Sequence, residues 1–182
     1  SRAANYFKSL GINRGDRVML ILKRHYQFWI AMMALNKLGA VAILATNQLL
    51  KKDLVYRFDK AGVSAVLCTS TGRCADEVEQ AAKECPTVRT LIIVDGEREG
   101  WHNFDEEYRM FRSTYTPAKD VSRPEGEDML LMVFTSGTTG YPKIATHTHT
   151  YPLGHFFTAH YWPQGDPNGP HPPLSATGRA PP

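Results

Sequence analysis

Met129-Leu-Leu-Met-Val-Phe-Thr-Ser-Gly-Thr-Thr-Gly-Tyr-Pro-Lys143 decides how the rest of the chain is read. Its first part, Met129 to Phe134, is short, bulky and free of glycine and proline, which predicts a buried strand. The next part, Thr135 to Gly140, brings hydroxyls at Thr135, Ser136, Thr138 and Thr139 and glycines at Gly137 and Gly140. Glycine admits positive φ and lets a backbone approach a ligand closely. Successive amides in such a turn form an anion-binding concavity, and Lys143 adds a point charge suited to a phosphate oxygen. The loop holds no carboxylate or imidazole to act as a base. Its chemistry is that of holding a polyphosphate. The bland alternative is an ordinary Gly/Ser/Thr turn after a strand. A P-loop is excluded by spacing, since Tyr141-Pro142 separate Gly140 from Lys143.

Outward from this stretch, strands and helices alternate. Arg2 to Leu10 is predicted helical and closed by Gly11, and Arg17 to Leu22 is a buried strand after the Asn13–Asp16 turn. Gln27 to Leu38 is a helix stopped by Gly39, and Ala40 to Thr46 a strand. Lys51 to Ala61 is an amphipathic helix with Leu54, Val55 and Phe58 inward, ended by Gly62. Ser64 to Thr69 is a strand, Ala75 to Glu84 a helix stopped before Pro86, and Thr90 to Val94 a strand closed at Asp95-Gly96. Such alternation predicts an α/β fold of parallel βαβ units, covered on both faces.

The section from Glu97 to Glu127 is charged, with Trp101, Phe104, Tyr108 and Phe111 at helical spacing, read as packing residues. The run Phe28 to Leu50 is long and mostly apolar, but Lys37 sits within it. A central lysine costs roughly 2.5–3.5 kcal/mol on the insertion scale, so a helix followed by a strand is favoured over a membrane span. From 163 to 182 the chain changes character: seven of its twelve prolines fall there, with Leu174 as the one large aliphatic side chain. Such a segment buries too little apolar area to offset its ordering entropy and is expected to be disordered. The expected organisation is a domain over 1–162 and a Pro/Gly-rich tail over 163–182.

Composition narrows the function classes. Among 182 residues, 42% are hydrophobic and 21% charged, with a net charge of +3. That is ordinary for a globular domain, and without a Lys/Arg block it gives no case for nucleic acid. Cys68, Cys74 and Cys85 lack C-x-x-C spacing and read as reduced thiols of a cytosol-like compartment. The polar amino end has no apolar signal region, and without an initiating methionine the chain is expected to begin inside a longer protein. His147, His149, His155 and His160 are dense, yet no carboxylate or cysteine cluster joins them, so no metal site is assigned. Oligomeric state leaves no mark in the sequence.

Thr135-Ser-Gly-Thr-Thr-Gly-Tyr-Pro-Lys143 resembles the signature of the adenylate-forming (AMP-binding) superfamily, which includes acyl-CoA synthetases, luciferases and peptide-synthetase adenylation domains. Gly15-Asp-Arg-Val18, Leu38-Gly-Ala-Val41 and Ala61-Gly-Val-Ser-Ala-Val66 are similar to segments that precede the signature in these enzymes. Lys23–Trp29, Asp95–Trp101 and Tyr151–His155 resemble medium-chain acyl-CoA synthetases more specifically. Ser175-Ala-Thr-Gly178 is faintly similar to a later S-D-T-G-W segment, with Ala176 and Arg179 departing from it.

The resemblance implies an incomplete amino-terminal part of the large domain of such a synthetase. It further implies an ATP-dependent acid–thiol ligase that activates a carboxylic (fatty) acid as acyl-adenylate and transfers the acyl group to coenzyme A. ATP, Mg2+ and coenzyme A would be its cofactors and cosubstrates, with the carboxylic acid as small-molecule partner. Thr135, Ser136, Gly137, Thr138, Thr139, Gly140 and Lys143 would bind the ATP phosphates. His147 resembles a substrate-side histidine of the family, with a purely structural histidine as the equal alternative. The family's catalytic lysine and metal-binding glutamate come later in the chain, so catalytic residues are not assigned and these 182 residues alone are expected to be inactive. The rival readings are a non-catalytic fragment that at most binds phosphate or nucleotide weakly, and an interaction module unrelated to nucleotides. The implied location is the cytoplasm, or the mitochondrial matrix in a eukaryote.

Overall fold

The computed structural model describes residues 1–117, 124–136 and 140–161. The expected tail at 163–182 and its boundary lie outside the described residues. By contacts the chain divides into two units, Ser1–His149 and Thr150–Pro182. In the second, the described part is one helix, α6 (Tyr151–Tyr161), on which the Tyr151 and His155 rings meet edge-on at 4.4 Å.

The first unit is built on strands β1 (Arg17–Ile21), β2 (Val41–Leu44), β3 (Ala65–Thr69), β4 (Thr90–Val94), β5 (His102–Asn103), β6 (Met129–Thr135) and β7 (Lys143–Thr148). Its helices are α1 (Arg2–Ser9), α2 (Gln27–Leu38), α3 (Lys51–Ala61), α4 (Cys74–Ala82) and the short α5 (Phe104–Glu107), which runs into a 3-10 turn at Tyr108–Met110. Strands β1–β4 and β6 and helices α1–α4 lie within two residues of the boundaries read from the sequence. The strands form one sheet in the order β5-β4-β3-β1-β2-β6-β7, parallel throughout except for β7, which runs antiparallel to β6.

The apolar runs explain the layers. A strand apolar at every position must be covered twice, and β3 is buried along its whole length. Alternate residues serve opposite faces. Val18 and Leu20 join α1, α2 and Phe104 in one core cluster, while Met19 and Ile21 join Leu54 and Phe58 of α3 and Val78 of α4 in the other. Three layers result, helix on sheet on helix. The aromatics after Glu97 do pack, but the helical reading holds only from Phe104 onward. Phe104, Tyr108 and Phe111 serve the α1 side, where Phe104 stacks on Phe7 and Tyr108 at 5.8 and 4.8 Å. Trp101 lies on the opposite face, with the Arg98 guanidinium 5.5 Å from its ring centre.

A polar knot around the buried Gln27 ties the segments after β1 and β4 together. Gln27 is 1% exposed, and its amide Nε2 donates to Asp95 Oδ1 and Asp105 Oδ1, each at 2.8 Å. His25 Nδ1 lies 2.6 Å from Asp95 Oδ2. Asp95 itself adopts φ +56°, as the sharp turn after β4 requires.

Gly62 shows why a glycine ends α3. Its φ is +60°, and a Cβ there would sit 2.8 Å from Arg17 Nη1. That nitrogen donates to the last helical carbonyl, Ala61 O, at 2.9 Å. Gly62→Ala is therefore expected to destabilise the fold by about 1–2 kcal/mol, from left-handed strain and displacement of Arg17. Urea denaturation checks this, with the transition midpoint falling and its slope unchanged.

Candidate functional site

β6 enters the sheet beside β2, pairing Ala42 with Leu131 and Leu44 with Val133. It therefore delivers its following loop to the carboxyl ends of the parallel strands, where open α/β sheets place their ligands. The apolar run ends in Thr135 and Ser136, both exposed. The chain returns as β7, so the loop is the turn of a hairpin whose closing pair is Thr135 and Lys143. Sequence reading assigned no strand after the loop. Thr135 Oγ1 donates to Lys143 O at 3.4 Å, a weak tie across the hairpin neck.

Of the seven residues read as phosphate-binding, Thr135, Ser136, Gly140 and Lys143 are described and exposed. Gly137, Thr138 and Thr139 lie outside the described residues. Gly140 has φ +119°, and no atom lies within 4 Å of where its Cβ would be. Glycine is thus required there by conformation rather than by crowding.

Lys143 and His147 occupy one face of β7, because they are four residues apart on a strand. The register puts Lys143 opposite Thr135 and His147 opposite Leu131, so all four share the α1/α2 side of the sheet. His147 is half-buried. From Met129 to Tyr161 the sequence carries no aspartate or glutamate. An anion at the hairpin thus meets donors and a cation without a competing carboxylate from this segment.

Other residues brought to the loop come from α3 and were not foreseen. The Tyr56 hydroxyl donates to Pro142 O at 3.0 Å, and its ring stacks on Tyr141 at 4.7 Å with 24° between planes. The Arg57 guanidinium lies 4.5 Å from the ring centre of Phe134, and burial pulls its pKa below the usual guanidinium value. Among the described residues, no group of three or more His, Cys, Asp or Glu side chains is placed to hold a metal ion. Nor is any described helix long and apolar enough to cross a membrane.

Comparison with known proteins places the chain in a family. The family model described as AMP-binding enzyme matches residues 1–172. Human acyl-coenzyme A synthetase ACSM3, mitochondrial, is 32% identical over 157 residues, covering 85% of this chain and 26% of that protein. Rat acyl-coenzyme A synthetase ACSM5, mitochondrial, is 35% identical over 156 residues, covering 84% and 26% respectively. Among solved structures, the anthranilate CoA ligase AuaEII in complex with anthranoyl-AMP superposes with a TM-score of 0.76 at 25% identity. That match covers 90% of this chain and 30% of the ligase. The chain thus spans about a quarter of the length of these curated relatives. By these matches the chain belongs to the AMP-binding enzyme family and is akin to its acyl-CoA synthetases.

Proposed function

We propose that this chain supplies the polyphosphate grip of an ATP-dependent acid–thiol ligase. The ligase joins a carboxylic acid, in our reading a fatty acid, to coenzyme A through an acyl-adenylate. Thr135, Ser136, Gly137, Thr138, Thr139, Gly140 and Lys143 take the β- and γ-phosphates of ATP. The observation that carries the reading is the loop's place: a donor-rich, acid-free hairpin turn at the carboxyl end of the parallel sheet, closed by Lys143.

The chemistry follows from charge. The acid's carboxylate oxygen attacks the α-phosphorus, the bond to the bridging oxygen breaks, and pyrophosphate leaves with the released electron pair. Negative charge grows on the leaving group, so fixed donors and a cation around it favour the transition state over the ground state. Thioester formation follows when the coenzyme A thiol displaces AMP. Mg2+, when bound, would neutralise phosphate charge. No residue of this chain is assigned to hold it. His147, on the same face as Lys143, is the substrate-side candidate. Two of the relatives are named mitochondrial, and a mitochondrial or cytoplasmic setting suits this reading.

Catalysis by the 182 residues alone is not part of the proposal. They span about a quarter of the relatives, and the loop offers no base. Incubated with Mg·ATP, an acid and coenzyme A, they are expected to bind Mg·ATP saturably, in competition with pyrophosphate, and to form no thioester. Thioester formed by this chain would contradict the division of labour, and absence of saturable binding would remove the grip.

A further inference from the structure

One turn of α3 touches both limbs of the loop. On the outgoing limb, the Arg57 guanidinium lies over the ring of Phe134, the residue before Thr135. On the returning limb, the Tyr56 hydroxyl donates to Pro142 O and its ring lies flat against Tyr141. Tyr56, Arg57, Tyr141 and Pro142, with Lys52 and Asp53, line a cleft of about 220 Å³. The phenol is well chosen for its partner. Proline has no N–H, so its carbonyl is the one backbone group through which the chain can be held there. Lys143 is the very next residue.

We propose that Tyr56 is a positioning residue for polyphosphate binding: by bonding Pro142 O and stacking on Tyr141, it fixes the limb that presents Lys143. The proposal rests on the reading of the loop as a polyphosphate grip. Its physical basis is preorganisation. A limb already held in one conformation loses less entropy when a ligand arrives, so affinity rises without any contact between Tyr56 and the ligand. The pairing also divides the work between ring and hydroxyl, which separate variants can remove one at a time.

Tyr56→Phe keeps the stack and removes the hydrogen bond, whereas Tyr56→Leu removes both. In the ligand-free chain, amide exchange at Gly140, Tyr141 and Lys143 is expected to speed up modestly in the first variant and strongly in the second. Mg·ATP affinity, read by calorimetry, is expected to fall about three- to tenfold in Tyr56→Phe, the change that one hydrogen bond of ordinary net worth gives. The thermal unfolding midpoint of that variant should fall by no more than the loss of one such hydrogen bond allows, whereas a purely packing role, which the retained ring still fills, leaves the affinity undiminished. Unchanged exchange at these amides in both variants overturns the clamp. Faster exchange with undiminished affinity overturns the positioning role. A parent chain that binds no Mg·ATP instead sinks the polyphosphate reading itself, and the exchange data alone then decide whether α3 holds the limb.

Discussion

Replacing Lys143 with alanine is expected to weaken Mg·ATP binding by the chain about 10- to 100-fold while leaving its unfolding midpoint within the scatter of surface substitutions. The magnitude follows from the type of contact: a hydrogen bond to a charged group contributes about 1.5–3 kcal/mol, and each 1.4 kcal/mol is tenfold in affinity. The null effect on stability follows from position. Lys143 is exposed at the end of an edge strand, where its side chain contributes to neither core cluster. Lys143→Arg is the informative companion. Its charge is retained, but a planar fork replaces a compact point charge, so partial recovery is expected rather than parent affinity. Equal affinity of Lys143→Ala and parent for Mg·ATP, pyrophosphate and tripolyphosphate would remove Lys143 from the site.

Phe58→Ala is expected to cost about 3–5 kcal/mol of stability, the usual range for truncating a buried aromatic side chain. Phe58 is fully buried on α3, within the cluster that holds Met19, Ile21, Ile43, Leu54 and Val63. A domain of this size has only about 5–15 kcal/mol in hand, so the loss is a large share of the whole. Function should follow structure here, because α3 also carries Tyr56 and Arg57 to the loop. Phe58→Leu, which leaves a smaller void, should lose considerably less. Guanidinium titration of the parent and both variants checks the order parent, Phe58→Leu, Phe58→Ala.

The layers were legible in the sequence because burial on both faces leaves a plain mark. Runs such as Val18–Ile21 and Ala65–Cys68 are apolar at every position, and glycines close the helices between them. Gly39 and Gly62 indeed take left-handed conformations after α2 and α3. Two strands were missed for reasons equally physical. His102–Asn103 is only two residues long, too short for any period to show. Lys143–Thr148 is a half-exposed edge strand with Ile144 as its one large aliphatic side chain, so no apolar period shows.

The candidate site was legible only along the chain. The loop announced itself by composition, but its neighbours on α3 could not, since Tyr56 lies far from Tyr141 in sequence. What joins them is strand order: β2 lies next to β6, so the helix leaving β2 passes beside the hairpin. Tyr141 lay inside the stretch that attracted notice and still gave no signal, because its partner is defined by the sheet.

The central claim is that this hairpin loop receives the departing phosphates of ATP, and two-dimensional amide NMR of the 182-residue chain titrated with inorganic pyrophosphate tests it directly. Saturable shifts concentrated on the amides from Thr135 to Lys143, and lost in Lys143→Ala, are the predicted result. Pyrophosphate shifts spread over other surface lysines and arginines, with the amides from Thr135 to Lys143 unmoved, would contradict it.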